Sequence, residues 1–323
     1  MFNVLLMGDS ICQGYSKYVR EYLFGIASVY CPEDNGRFTT YQLKYLNDWL
    51  VPIKKEGKVD VVHFNAGLWD CLRIDGDEPL IDKSTYVNNI RRLIHRIRHN
   101  CHGADIVLAT TTKVINERMD KSFCRLNEDV EIYNECLVEI ANKNGVGIDD
   151  LYAVTSSVNF FEYDADGIHF TDCGYKKIAD KVFESIIKIL LSKANFKEKI
   201  ATEFRCASGA KLNLKEYNRV VVYGYGEYGK YIVRQMNEHC PPPARLLCVI
   251  DRNPMKHGFT PEGVPVISLE EYQKRSKSDD VVIVSQTNKK TVYEIKRNLC
   301  ALNVQMFDIY DFQCWWLMLK GVL

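Results

Sequence analysis

The chain has no surplus of charge: 42 Lys and Arg balance 42 Asp and Glu over 323 residues. A neutral chain offers no net field to draw in nucleic acid or an anionic membrane, so the expected partner is a small molecule or a glycan. No apolar stretch approaches the ~18 residues of a membrane span. Met1 leads at once into Phe2 and a strand-like run, with no charged n-region, apolar h-region and cleavage site; the expectation is a cytoplasmic protein. None of the 12 cysteines belongs to a C-x-x-C pair, and a chain this long builds its core without staples, so they read as reduced thiols and no metal site is expected. There is also no G-x-S-x-G nucleophile elbow, which argues against the common α/β-hydrolase arrangement.

What is present is ordinary globular composition, 46% hydrophobic and 26% charged, at a length that suggests two domains. Short apolar runs at 2–7, 59–64, 104–110 and 146–148 alternate with helical patterns over 15–24, 40–50, 85–98, 130–142 and 175–191. This is the signature of βα units and a parallel sheet. Gly8-Asp9-Ser10 follows the first strand, and Asp166-Gly167-Ile168-His169 comes just before the last of these helices. Serine is a weak nucleophile unless an imidazole takes its proton and a third group orients the imidazole. Ser10, His169 and Asp166 are the residue types that fill those roles. Taken singly, each motif also reads as a turn with a helix cap or as a solvated loop. Ser10 sits where open α/β sheets place their ligands, with a helix N-terminus and its own N–H available to a developing oxyanion.

These residues resemble the SGNH (GDSL-type) hydrolase family. Its first block matches Gly8-Asp9-Ser10, and its last, D-x-x-H, matches Asp166 to His169. Its second block, which gives a backbone N–H to the oxyanion hole, is similar to Asn35-Gly36-Arg37-Phe38-Thr39, pointing to Gly36. The third block departs from G-x-N-D: Gly67-Leu68-Trp69-Asp70 puts a tryptophan where the oxyanion asparagine belongs, and Asn65 is the nearest substitute. The resemblance covers roughly residues 1–195 and implies a flavodoxin-like parallel sheet and a serine esterase that needs no cofactor.

A mixed polar stretch, 196–216, reads as a linker, and a second array fills 217–323. Val220-Val221-Val222-Tyr223 leads into Gly224-Tyr225-Gly226-Glu227-Tyr228-Gly229, a helical pattern, and a second strand ending in Asp251. That order is the dinucleotide fingerprint, with Gly224, Gly226 and Gly229 near a phosphate and Asp251 near a ribose hydroxyl. The remaining length holds one mononucleotide-binding half. Through Asp251-Arg252-Asn253-Pro254 and Gly263-Val264-Pro265-Val266-Ile267 the segment resembles small Rossmann-like domains attached to sugar-modifying and capsule-biosynthesis enzymes. A nucleotide or sugar nucleotide is one expectation for it; a structural or docking role is the other.

The remaining features have plainer readings. His95 and His99 lie among arginines, which suits a solvated basic face better than a metal site, and His63 reads as a core histidine. Cys12 and Cys173 are close in sequence to Ser10 and His169. Trp315-Trp316-Leu317-Met318 either packs on a domain surface or forms a subunit interface, which leaves a homo-oligomer open. The expected function is a serine esterase removing an O-acyl group, acetyl above all, from a carbohydrate or glycoconjugate precursor. An O-acyltransferase using the same acyl-serine, and a non-catalytic nucleotide- or partner-binding module, are the alternatives.

Overall fold

The computed structural model describes residues 1–159, 162–203 and 212–322. The chain divides into two compact units, Met1–Ile200 and Ala201–Leu323.

In the first, β1 (Phe2–Met7), α1 (Ser10–Tyr22), β2 (Ala27–Tyr30), α2 (Thr39–Glu56) and β3 (Val61–Asn65) come in succession. A two-residue strand β4 (Arg73–Ile74) precedes α3 (Lys83–Asn100) and β5 (Asp105–Ala109). Its antiparallel partner β6 (Phe123–Cys124) precedes α4 (Asn127–Asn144) and β7 (Gly147–Asp149). Then follow α5 (Leu151–Ser156), α6 (Asp172–Ser192) and α7 (Phe196–Glu203). The main sheet has the order β2-β1-β3-β5-β7, every pair parallel. Every residue of β1 and β3 is buried, as expected when helices cover both faces. One helical layer contains α1, α5 and α6, the other α2, α3 and α4.

Counted by chain order, these five strands run 2-1-3-4-5, the flavodoxin order expected from the sequence. The chain leaves β1 toward β2 and returns to the other side at β3, so the C-terminal ends of β1 and β3 flank the switch point where such sheets bind ligands. Ser10 stands there. Helix α1 starts at Ser10, five residues earlier than its apolar spacing suggests, because the Asp9 carboxylate accepts the Ile11 N–H at 3.0 Å and caps the first turn.

In the second unit, β8 (Arg219–Tyr223), α8 (Glu227–His239), β9 (Arg245–Ile250), β10 (Gly258–Phe259) and β11 (Pro265–Ile267) are followed by α9 (Leu269–Gln273) and β12 (Asp280–Val284). Last come α10 (Lys289–Leu299), β13 (Gln305–Asp308) and α11 (Ile309–Leu319). Its sheet has the order β10-β11-β9-β8-β12-β13, parallel except for β10. The parallel strands therefore run 3-2-1-4-5 by chain order. Trp315, Trp316 and Leu317 on α11 are buried, and the Trp316 indole donates to Gln235 on α8 at 2.6 Å; only Met318 of that run faces outward.

The stretch 196–216 is not simply a linker, since α7 occupies Phe196–Glu203 with Phe196 and Ile200 buried. Ala207-Ser208-Gly209-Ala210 lies outside the described residues.

Candidate active site

The turn after β1 is built around Gly8. A Cβ there would fall 1.8 Å from Asn65 Oδ1 and 2.7 Å from Cys12 Cβ, so only glycine lets the end of β1 lie against β3 and the first turn of α1. Asp9 is fully buried. Burial pushes its carboxyl up, against the pull of the Asn65 side chain and the Ile11 and Cys12 N–H groups. With Asp9 turned inward as the cap, the next residue, Ser10, faces out at the helix N-terminus.

His169 comes from the loop before α6. Its Nε2 lies 2.7 Å from Ser10 Oγ and its Nδ1 2.5 Å from Asp166 Oδ2. Asp166 Oδ1 accepts the Ile168 and His169 N–H groups, both at 2.9 Å, which locks the carboxylate into its own turn. Burial raises the Asp166 carboxyl, but the His169 ring and those two N–H groups outweigh it and leave the pKa below the usual carboxylate range. A neutral imidazole protonated on Nδ1 donates to Asp166 and presents its Nε2 lone pair to the Ser10 hydroxyl. This arrangement can take a proton from Ser10 as its oxygen attacks. The His169 and Asp166 side chains are 37% and 46% exposed, so water reaches them.

A cavity of about 330 Å³ opens in front of these groups. Leu68 and Trp69 form one wall, Phe123 and Arg125 another, with Arg118 and Ile168 at its edge. The β4–β6 ribbon brings the second wall over the first: Arg125, just after β6, donates its Nε–H to the Leu68 carbonyl at 2.9 Å. A larger surface cavity of about 610 Å³ beside α4 and α5 is lined by Thr110, Glu131, Asn134 and Tyr152 among others and holds no serine, cysteine or histidine.

Two residues expected at the oxyanion hole are placed differently from Ser10. Asn65 ends β3 only 2% exposed; its amide nitrogen donates inward to Asp9 Oδ1 at 3.3 Å, and it does not line the cavity. Its side chain turns under Gly8 because the buried Asp9 carboxylate is the strongest acceptor within reach. The Gly36 N–H donates to the Gly8 carbonyl at 2.8 Å, tying the two loops together. The third-block Asp70 is fully buried and accepts the Thr39 N–H and hydroxyl at 3.0 and 2.6 Å, standing in for the side-chain cap that Phe38 cannot give α2. Burial pushes its carboxyl up to about 7.

Of the other marked residues, His63 is buried with Nε2 2.9 Å from Asp149 Oδ2, while its Nδ1 has no hydrogen-bond partner among the described residues. Cys12 is buried beneath Gly8, and Cys173 is exposed with its Sγ toward Glu162. Among the described residues no group of three or more His, Cys, Asp or Glu is placed to hold a metal ion. Arg125, only 4% exposed on the cavity wall, carried no signal in the sequence.

In the second unit the glycine turn is closed on itself. A Cβ on Gly229 would fall 1.9 Å from the Gly224 carbonyl oxygen, so that glycine serves the contact between turn and helix; a Cβ on Gly226 would meet open space. Asp251 Oδ2 accepts the Tyr225 N–H at 2.6 Å and Oδ1 the Asn253 N–H at 2.8 Å, with Lys256 Nζ 3.4 Å away. The acid expected at a ribose is thus bonded to the turn itself.

The family model described as GDSL-like Lipase/Acylhydrolase family matches residues 6–177, more than half of the chain. Among solved structures, the acetyl xylan esterase AlAXEase aligns at 20% identity and a TM-score of 0.47, covering 57% of this chain and 100% of that one. A lipase/acylhydrolase from Enterococcus faecalis aligns at 20% identity and a TM-score of 0.47, covering 58% and 95%. Axe2, an acetylxylan esterase from Geobacillus stearothermophilus, aligns at 17% identity and a TM-score of 0.47, covering 57% and 94%. No curated protein matches the chain. The span matched by the family model runs from the end of β1 through the loop bearing His169, and the chain belongs to the GDSL-like lipase/acylhydrolase family, a family of ester-hydrolysing enzymes.

Proposed function

We propose that this chain is a serine esterase that removes an O-acyl group, acetyl above all, from a carbohydrate or glycoconjugate precursor. The observation that carries the reading is the unbroken line from Asp166 Oδ2 through both His169 nitrogens to Ser10 Oγ, with steps of 2.5 and 2.7 Å. Ser10 Oγ attacks the acyl carbonyl carbon while His169 Nε2 takes the hydroxyl proton and Asp166 stabilises the imidazolium. Collapse of the tetrahedral intermediate expels the sugar oxygen, which receives that proton from Nε2. Water, deprotonated by the same nitrogen, then attacks the acyl-serine, and acetate leaves as the proton returns to Ser10.

The oxyanion forms at the N-terminus of α1, where the first N–H groups have no acceptor within the helix and the helix dipole favours negative charge. The Ser10 N–H is the donor we assign. Gly36 and Asn65 hold the turn that aims it. The exposure of His169 and Asp166 to water favours hydrolysis over transfer to a second alcohol.

We read the second unit as a Rossmann-like domain in a structural or docking role, on its 3-2-1-4-5 strand order and the engagement of Asp251 with its own turn. All 11 cysteines among the described residues are free thiols, which suits the cytoplasm. Fluorophosphonate labelling of the full chain, followed by a panel of acyl esters, tests the reading: adduct formation at Ser10 and turnover of acetyl esters are expected.

A further inference from the structure

The cavity in front of Ser10 contains a cation that the acyl-transfer chemistry does not use. Arg125 is 4% exposed, yet among the described residues no carboxylate lies within ion-pair distance of it. Its Nε–H is taken by the Leu68 carbonyl at 2.9 Å, and the guanidinium carbon sits 5.5 Å from the centre of the Trp69 ring and 5.0 Å from that of Phe123. That clamp fixes the plane of the group and leaves its terminal N–H donors without an acceptor among the described residues.

Burying a guanidinium without a counter-charge is costly, and buried charges are as a rule paired or put to use. Support of the Leu68 carbonyl alone needs one neutral donor. A planar fork with free donors, already desolvated, matches an anionic oxygen group that binds it through two parallel hydrogen bonds. The other charges at the cavity do not supply that partner. Asp166 is held by His169 and its own turn, Asp120 at the rim accepts the Ser122 N–H and hydroxyl, and Arg118 donates to the Asp164 carbonyl.

We propose that Arg125 is the recognition group for an anionic oxygen substituent, carboxylate or phosphate, on the alcohol part of the ester, so that the substrate class is the O-acyl ester of an acidic sugar. This rests on the esterase reading above. An acetyl group carries no charge of its own, so the anion belongs to the sugar. A cavity of about 330 Å³ shared by Ser10 and Arg125 keeps it within a few bonds of the scissile carbonyl.

The test compares three acetyl esters on the full chain: O-acetyl-galacturonic acid, its neutral methyl ester, and an O-acetyl-glucose phosphate, with 4-nitrophenyl acetate as a small neutral control. The wild type should prefer an acidic ester over the neutral one in kcat/KM by about ten- to a hundredfold, carried mainly by KM, as expected for one charge-assisted pair. Which acidic ester leads distinguishes carboxylate from phosphate. Arg125→Gln should bring the ratio of acidic to neutral ester close to one, and Arg125→Lys, with charge but no fork, should restore part of it. Because the ratio is internal to each variant, general loss of folded protein does not change it.

A wild-type ratio near one, or a ratio that survives Arg125→Gln, overturns the assignment while 4-nitrophenyl acetate turnover leaves the esterase reading standing. An equal fall in kcat for acidic and neutral esters in an Arg125→Gln protein that keeps the wild-type Tm also overturns it, since the guanidinium would then act on the oxyanion. Absence of turnover for every ester refutes both readings.

Discussion

Asp70→Asn should flatten the dependence of stability on pH between about pH 4 and pH 7. Asp70 is completely buried, and burial raises its carboxyl from 3.8 to about 7. A carboxyl raised on folding binds its proton more tightly in the native state than in the unfolded chain throughout that window. Stability from this group is therefore present below pH 4 and is lost as pH rises toward 7. At ~1.4 kcal/mol per pH unit the loss across the window is on the order of 4 kcal/mol. Asparagine keeps an oxygen that can accept from the Thr39 N–H and hydroxyl but has nothing to titrate, so any cost of replacing the carboxylate is constant with pH and leaves the slope unaffected. Urea midpoints measured on both proteins at half-unit steps of pH would show it, with the variant gaining on the wild type as pH rises. Asp9, raised by burial in the same direction, remains in both proteins, and because its charge helps to raise Asp70 the difference between the curves holds Asp70's own titration together with its coupling to Asp9. Parallel curves from pH 4 to 7 would refute the reasoning.

Asp166→Asn should lower kcat by roughly a thousandfold or more, because the amide can hold the imidazole in the wrong tautomer; a loss below tenfold in a steady-state assay would remove Asp166 from its role. Asn65→Ala should cost stability, about 1–3 kcal/mol for leaving the buried Asp9 short of a donor, and should reduce kcat only in step with disturbance of the Gly8 turn. A hundredfold fall in kcat with an unchanged Tm would instead make Asn65 an oxyanion donor. Calorimetric titration of the full chain with NAD, NADP and sugar nucleotides should give no dinucleotide binding, since Asp251 is bonded to Tyr225 and Asn253; tight dinucleotide binding would overturn the structural reading of the glycine turn.

The parts of the site whose chemistry demands particular residue types were legible in the sequence. Ser10, Asp166 and His169 could be paired by role, and the βα alternation was enough to bring the end of β1 to a ligand-binding edge. Hydrogen-bond competition was not legible. Position alone points to Asn65 and Gly36; in the structure the Asn65 amide donates to the buried Asp9 carboxylate and the Gly36 N–H to the Gly8 carbonyl. Arg125 lay in an irregular stretch, and its burial depends on a two-residue ribbon that no periodicity marks. Helix α2 runs through Pro52 to Glu56, past the expected end at 50, because buried Leu46, Leu50 and Ile53 continue its apolar face.

The central claim is that Ser10 is the nucleophile, and intact-mass analysis after fluorophosphonate treatment tests it most directly. The wild type should gain one adduct, mapped by peptide digestion to Ser10. Ser10→Ala should gain none while keeping the wild-type Tm, since Asp9 and not Ser10 caps α1. An adduct on any other residue, or undiminished labelling and ester turnover in Ser10→Ala, would contradict the account.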